Sequence, residues 1–155
     1  MGYPCIVKTQ NIGDDANFDL DSQYKCDLVK FIRENNIHAL IDLHQLSPMR
    51  EQIICLGTGG EDCLNLLGMH NKAKKIQQYF AKFFNNVSIN EPFAAKGDGT
   101  IARYISKNCN IPCVQVEINS KLFLQGIISI EDITTIFDKA TYLMEDFCNE
   151  KNIID

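Results

Sequence analysis

Short apolar runs alternate with longer amphipathic stretches along this chain of 155 residues. This alternation is typical of an α/β domain with a largely parallel sheet. The apolar runs predict extended segments at residues 3–9, 38–44, 52–56, 87–90 and 112–119. The last segment has two distinct faces, an apolar one with Val114, Val116 and Ile118 and a polar one with Gln115, Glu117 and Asn119.

The amphipathic stretches between these runs predict four helices. The first helix follows candidate caps at Asp19, Asp21 and Ser22 and ends at residues 35–36. The others cover residues 70–84, a short stretch from the turn at 97–100 to about 108, and a final helix from the cap Ser129 to about Cys148. No repeat, linker or low-complexity tract interrupts the pattern, so residues 1–155 are predicted to form a single domain.

Composition narrows the class of protein. The chain is 45% hydrophobic and long enough to bury one core, but no apolar run approaches the roughly 20 residues of a membrane-spanning helix. Residues 1–4 lack the features of a signal peptide. With 15 Lys and Arg against 20 Asp and Glu, the net charge of −5 argues against nucleic-acid binding. We therefore expect a soluble cytoplasmic protein that has neither a nucleic-acid nor a membrane partner. The basic cluster of Lys72, Lys74 and Lys75 is expected to lie on the solvent-exposed face of a helix.

The seven cysteines do not form a recognisable metal or disulfide framework. They contain no Cys-x-x-Cys pair, and the closest two, Cys109 and Cys113, lack a second pair with which to complete a zinc knuckle. Reduced thiols in a cytoplasmic protein are the expectation.

Asp42 and His44 are the first candidate site residues. They stand two residues apart and therefore share one face of the strand predicted at 38–44, which we expect to be central in the sheet. Ligands of open α/β sheets bind at the carboxyl ends of strands. His44 is thus a candidate metal ligand or general base, with Asp42 as the group that orients it. The alternative is that His44 bonds a loop carbonyl and Asp42 caps a turn.

Glu117 is the second candidate, because an ionised carboxylate within a buried strand is costly unless it is paired or faces a wet cleft. Beside a strand that ends in a histidine, it could act as the general base that activates water. The alternative is an edge strand whose Gln115, Glu117 and Asn119 face solvent.

Two glycine-containing turns offer candidate anion sites. Arg103 stands three residues after Thr100, the candidate cap of the short helix, and a guanidinium near a helix amino terminus can bind a carboxylate. Backbone N–H groups of the turn at 57–60 could also hold an anion, although this turn lacks the Gly-Lys-Ser/Thr end of a phosphate-binding loop. A surface arginine and an ordinary tight turn are the alternatives.

Four motifs in the same order resemble those of the N-formylglutamate amidohydrolase family, which is related to the zinc carboxypeptidases and the succinylglutamate desuccinylase group. They are Leu-Ile-Asp-Leu-His at 40–44, Ile-Cys-Leu-Gly-Thr-Gly at 54–59, Phe93 with Gly-Thr-Ile-Ala-Arg at 99–103, and Val-Gln-Val-Glu-Ile-Asn at 114–119. The resemblance implies a three-layer α/β/α fold of the phosphorylase/hydrolase type, with a mostly parallel or mixed sheet.

The resemblance also implies a role for each matching residue. His44 corresponds to a zinc-binding histidine, and Glu117 to the catalytic glutamate that activates zinc-bound water. Arg103 corresponds to the residue that receives a substrate carboxylate. Asn17 matches the asparagine of a substrate-binding Asn-Arg pair, but Phe18 replaces the arginine. The candidate substrate-binding residues are therefore Arg103, Asn17 and Thr100.

The chain departs from the family at the front, where relatives carry a closely spaced His and Glu that complete the zinc site. None of the three histidines, His38, His44 and His70, is followed at the third position by Glu. Only one expected zinc ligand is identifiable, whereas a catalytic zinc needs three protein ligands. The chain thus resembles the carboxyl-terminal portion of the family.

Two functional hypotheses follow, with a nucleotide-binding module as a weaker third. The first is metal-dependent hydrolysis of an amide bond in a small acyl-amino-acid or peptide-like substrate, with zinc as cofactor. The second is a truncated, non-catalytic relative that binds a small anionic ligand or a partner subunit. Because a missing front region would leave apolar surface exposed, a homodimer is also expected.

Overall fold

A computed structural model describes residues 4–9 and 13–149 of the chain, with side chains through Met144. The elements confirm an α/β protein. The helices are α1 (Gln23–Glu34), α2 (His70–Phe80), α3 (Ile101–Cys109), α4 (Lys121–Leu124) and α5 (Ile130–Asn149), and a 3-10 turn lies at Leu64–Leu66. The strands are β1 (Leu40–Leu46), β2 (Ile54–Gly57), β3 (Val87–Ile89) and β4 (Cys113–Asn119).

The four strands form one mixed sheet in the order β1-β4-β2-β3. β1 runs parallel to β4, and β2 runs parallel to β3, but β4 and β2 are antiparallel. β4 is therefore an interior strand, which explains why all but one of its residues are buried. β1 stands at the end of the order, so the expectation that it is a central strand is wrong.

Two hydrophobic clusters pack against the sheet, and β4 contributes to both. Val114 and Val116 belong to a cluster with residues of α2 and α5, including Phe80 and Met144. Cys113 belongs to the other cluster, which includes residues of α1 and α3. Successive side chains of a strand point to opposite faces, so this alternation follows directly from the period of two in the sequence.

The segment predicted as a first strand is not a strand over residues 4–9, and residues 1–3 lie outside the described chain. Ile6 and Val7 are exposed, and β-propensity without a partner strand to bury the side chains does not suffice to form one. The segment is held by side-chain hydrogen bonds instead: Tyr24 Oη donates to the carbonyl of Ile6 over 3.5 Å, and Lys8 Nζ donates to the carbonyl of Asp14 over 2.8 Å.

Other boundaries move by a few residues. The strand predicted at 38–44 begins and ends two residues later, and α2 ends at Phe80 rather than 84 because the next residues continue as turns, with Phe83 N–H donating to the Phe80 carbonyl. Lys72 is only 2% exposed, so its expected place on a wet helix face is wrong, whereas Lys74 and Lys75 are exposed.

The remaining sequence expectations concern caps, thiols and membrane spans. Ser129 caps α5 as predicted, since its Oγ accepts the N–H of Asp132 at 3.0 Å. The six cysteines whose side chains are described are free thiols, and Cys148 lies outside that set. Within the described ranges, no helix combines the length and apolar character that crossing a membrane requires.

Candidate functional site

The parallel pairing of β1 with β4 brings the two strongest candidates together. The register sets His44 opposite Glu117 and Asp42 opposite Gln115, so four polar side chains form two adjacent rows on one face of the sheet. His44 lies two residues before the end of β1, and Glu117 lies two residues before the end of β4. Because both strands run in the same direction, the rows lie near the carboxyl end that ligands use in open α/β sheets.

Asp42 lies beside His44 on the same face of β1. The Nε2 atom of His44 lies 3.1 Å from Oδ2 of Asp42, and the two side chains are 25% and 10% exposed. This hydrogen-bonding contact raises the pKa of the His44 imidazole above its usual 6.5, with the charges of Asp42 and Glu117 acting in the same direction. The ring N–H is not aimed squarely at the oxygen, however, so Asp42 Oδ2 has no well-aligned donor although it is buried. The alternative in which His44 bonds a loop carbonyl has no support in these contacts.

Glu117 is buried in the middle of the sheet and is only 5% exposed. The alternative of a solvent-facing edge strand is therefore wrong. Burial raises the pKa of this carboxyl above 4.5, although the neighbouring His44 and a hydrogen bond from Gln115 oppose the shift. In that bond, Gln115 Nε2 donates to Glu117 Oε1 over 2.8 Å. A carboxyl next to an imidazole provides one group that can accept a proton and one that can donate it.

On its other side, Glu117 faces β2. The antiparallel register sets Cys55 opposite Glu117 and Gly57 opposite Gln115. The Cys55 thiol donates to the Phe93 carbonyl over 3.5 Å, and burial raises its pKa. A Cβ at Gly57 would lie 2.8 Å from Cβ of Ala95 and 3.2 Å from Cβ of Gln115. The glycine therefore lets the loop at 93–95 lie directly against this face of the sheet.

Asn17 and Thr100, two predicted substrate-binding residues, meet at the amino terminus of α3. Asn17 Oδ1 accepts the N–H of Ile101 at 3.1 Å, so a side chain 84 positions away caps this helix. Thr100 is the residue at the cap position, but its Oγ1 donates to the carbonyls of Gly97 and Ala95, at 2.8 and 3.1 Å. Asp15 is close to Asn17 in the chain, and its negative charge contributes to the raised pKa of His44. The segment that contains Asn17 therefore interacts electrostatically with the polar rows.

Arg103, the third predicted substrate-binding residue, makes its contacts elsewhere. Its Nη1 donates to the Leu64 carbonyl at 3.4 Å, and its Nε lies 3.8 Å from Oδ1 of Asp98. Asp98 is also 3.7 Å from Nζ of Lys107. The described contacts of Arg103 thus join α3 to the 3-10 turn and do not include His44 or Glu117.

The turn at 57–60 is a tight turn whose amide groups bind the protein itself. Thr58 N–H donates to Oδ1 of Asn90 at 2.9 Å, and Gly59 N–H donates to the Ala94 carbonyl at 2.8 Å. These two groups are therefore not open to an anion. An open cavity of about 640 Å³ lies beside the turn, and its lining includes neither His44 nor Glu117.

Lys25 is a residue that the sequence analysis missed. It is fully buried, with Nζ donating to the carbonyls of Asp19 and Gly99 and lying 5.2 Å from the centre of the Tyr104 ring. Desolvation lowers the pKa of its ammonium group. The signal was available, because Lys25, Leu28 and Ile32 recur at helical spacing and all three are buried on α1.

The described residues do not fit a catalytic zinc held by three protein ligands. Among the described side chains, those of residues 4–9 and 13–144, no group of three or more His, Cys, Asp or Glu could hold a metal ion. At the polar rows, the Nε2 atom of His44 already faces Asp42, and Glu117 receives its hydrogen bond from Gln115. What these four residues offer chemically is an acid–base pair with one carboxylate and one amide in support.

The resemblance to the N-formylglutamate amidohydrolase family depends on the four sequence motifs alone. No family model matches the chain, and neither the curated proteins nor the solved structures gave a match.

Proposed function

We propose that this chain is a hydrolase-like relative of the N-formylglutamate amidohydrolases, in which Glu117 and His44 act as an acid–base pair on an amide bond of a small acyl-amino-acid ligand. The single observation that carries the proposal is the register of β1 with β4, which sets the two side chains opposite each other near the carboxyl ends of parallel strands. The three-layer α/β/α arrangement belongs to the same proposal. The two hydrophobic clusters, one with α2 and α5 and the other with α1 and α3, support it.

The proposed chemistry divides proton transfer between the pair. Glu117 accepts a proton from water as the water oxygen attacks the amide carbon. His44, whose protonated form Asp42 favours, then donates a proton to the amide nitrogen as the carbon–nitrogen bond breaks. The direction of each pKa shift supports the assigned role, because a higher pKa makes the ionised carboxylate a stronger base and increases the fraction of imidazole that is protonated.

Arg103 is the proposed anchor for a substrate carboxylate. Its Nε lies 3.8 Å from Oδ1 of Asp98, which is longer than a hydrogen bond, and the Asp98 side chain is 61% exposed. Ion pairs of this kind stabilise proteins little, so a carboxylate ligand can displace Asp98 at small cost. Asn17 and Thr100 would support such a ligand only by giving up hydrogen bonds that now hold the start of α3.

The proposal is tested by hydrolysis assays on protein purified without a metal-affinity tag. N-formylglutamate and related acyl-amino acids serve as substrates, with and without added zinc, and bound zinc is measured on the same sample. We expect turnover that Glu117→Gln abolishes and that the control Glu131→Gln leaves unchanged, because Glu131 is exposed at the start of α5. Absence of turnover under every metal condition would overturn the catalytic proposal.

Zinc remains a prediction of the resemblance, and the same experiment measures it. One protein ligand binds zinc weakly, so stoichiometric zinc in the purified protein would require further ligands beyond His44. Zinc that is retained by the wild type and lost in His44→Gln would support a metal centre at this residue.

A second candidate is a non-catalytic relative that binds a partner subunit. The observations that favour it are that Arg103, Asn17 and Thr100 already bond groups of the chain, and that the described residues hold no three-ligand metal group. A protein of this kind would show no turnover, but it would still associate through a defined surface.

A further inference from the structure

The outer edge of β1 is the most informative feature outside the proposed chemistry. β1 pairs with β4 on one side and, among the residues that the structure describes, with no strand on the other. The N–H of Leu40 donates to the Pro112 carbonyl and the carbonyl of Leu46 accepts from Ser120, so the even-numbered residues direct their backbone groups toward β4. Because the direction alternates along a strand, the backbone groups of Ile41, Leu43 and Gln45 point to the open edge.

The side chains of β1 also leave an apolar group exposed to solvent. Leu43 is 56% exposed although it lies at the centre of the strand. On the opposite face lie Asp42 and His44, whose side chains are 10% and 25% exposed. Natural proteins usually cover or charge an exposed strand edge, because its unpaired groups form a template for another strand.

We propose that β1 pairs with the same strand of a second copy of this chain, antiparallel and centred on Leu43. In this register the two Leu43 residues face each other as a hydrogen-bonded pair, and Ile41 bonds Gln45 of the partner subunit on either side. Ile41, Leu43 and Gln45 of each copy then each donate one backbone hydrogen bond to the partner subunit and accept one from it. The contact is isologous, as in most soluble dimers.

The side chains favour a second copy over an unrelated strand. The register sets Asp42 opposite the partner's His44, and the symmetry repeats this pair on the other side of the axis. These are non-hydrogen-bonded positions, where cross-strand side chains are closest and opposite charges stabilise the pairing. On the other face, each exposed Leu43 contacts the partner's Leu43. The sequence Leu-Ile-Asp-Leu-His-Gln-Leu is thus complementary to itself.

The dimer would extend the polar rows across the interface. It sets the imidazole of the partner's His44 opposite the Asp42 carboxylate, which adds a cross-strand pair of opposite charge. The inference does not depend on the proposed hydrolysis, because an inactive chain would still pair and an active monomer would still turn over. Failure of one proposal is therefore distinguishable from failure of the other.

Sedimentation equilibrium at micromolar concentrations gives the first test. We expect the wild type to have about twice the 17.6 kDa mass of one chain, and Leu43→Lys to have the mass of one. Leu124→Lys is the matched control, since Leu124 is 75% exposed on α4 and is not part of the proposed strand pair, so this variant should remain a dimer. A monomeric wild type, or a dimer that survives Leu43→Lys, would overturn the inference.

Disulfide trapping tests the register without relying on a charged variant. Cys5 and Cys26, the two exposed thiols among the described side chains, are first replaced by Ser. Facing residues of a hydrogen-bonded pair have Cα atoms about 5.5 Å apart, within the range of a disulfide. Leu43→Cys should therefore form a disulfide-linked dimer. Gln45→Cys should not, because the two copies of residue 45 would be offset by four residues, or roughly 13 Å. Equal trapping at both positions, or at neither, would contradict this register.

Discussion

The two faces of β4 are equally buried but chemically opposite. Val114 and Val116 are 1% and 0% exposed and pack with α2 and α5. Gln115 and Glu117 are 3% and 5% exposed, yet one is an amide with an unpaired Oε1 and the other is a carboxyl with a raised pKa. One strand therefore stabilises the fold on one face and carries unfavourable polar burial on the other. Local conflicts of this kind are typical of functional sites.

The apolar face should dominate stability. Phe80 of α2 is fully buried in the cluster with Val114 and Val116 and stacks against Phe84. Phe80→Ala should reduce the free energy of unfolding by about 3–5 kcal/mol, because it removes buried surface and leaves a cavity. Urea denaturation measures this loss. A loss as small as that of a surface substitution would show that this cluster is not the principal core.

The start of α3, which packs on the same side of the sheet as Cys113, should depend on the long-range hydrogen bond from Ile101 to Asn17. Asn17→Ala removes the acceptor for the Ile101 N–H and should cost about 0.5–2 kcal/mol by urea denaturation. Asn17→Asp is the matched control, because aspartate is also a good cap and should retain most of the stability. If both variants lose the same amount, the cap is not what holds the start of α3.

Glu117→Gln should change the pH dependence of the free energy of unfolding. At acid pH, the free energy of unfolding itself should change little. A carboxyl whose folded-state pKa is raised above 4.5 favours the fold when protonated, a contribution present below pH 4.5 and lost as the pH rises through the folded-state pKa. The wild type should thus lose stability relative to Glu117→Gln over that range. Parallel profiles for the two proteins would contradict a raised pKa.

Asp42→Asn should have the smallest effect on stability and a clear effect on His44. The raised pKa of the imidazole stabilises the fold below pH 6.5, and that contribution is lost as the pH rises through the folded-state pKa. Removing the Asp42 charge should lower this pKa, which NMR titration of the imidazole measures. An unchanged midpoint would mean that Asp42 does not hold the charged ring.

Several features of the fold and of the candidate site could be predicted from residues close together in the sequence. The period of two in residues 112–119 predicted the two faces of β4, and the Ser129 cap predicted the start of α5. Asp42 and His44 were expected on one face because they are two residues apart, and their contact confirms it. These features depend on residues close together in the chain, which is where propensity and period are informative.

The features that could not be predicted depend on contacts between distant segments. Sheet order is one, because nothing local in residues 38–44 tells an edge strand from a central strand. The capping of Ile101 by Asn17 spans 84 positions and has no local signature. Residues 4–9 have the composition of a strand but do not form one. In each case tertiary contacts override the local pattern.

The pairing of His44 with Glu117 is the central claim, and titration of His44 tests it most directly. The imidazole is followed by NMR in the wild type, in Glu117→Gln and in the exposed control Glu131→Gln. Because the Glu117 charge raises the pKa of His44, we predict a wild-type midpoint above 6.5 that falls in Glu117→Gln and is unchanged in Glu131→Gln. A His44 midpoint that is the same in all three proteins would contradict the juxtaposition.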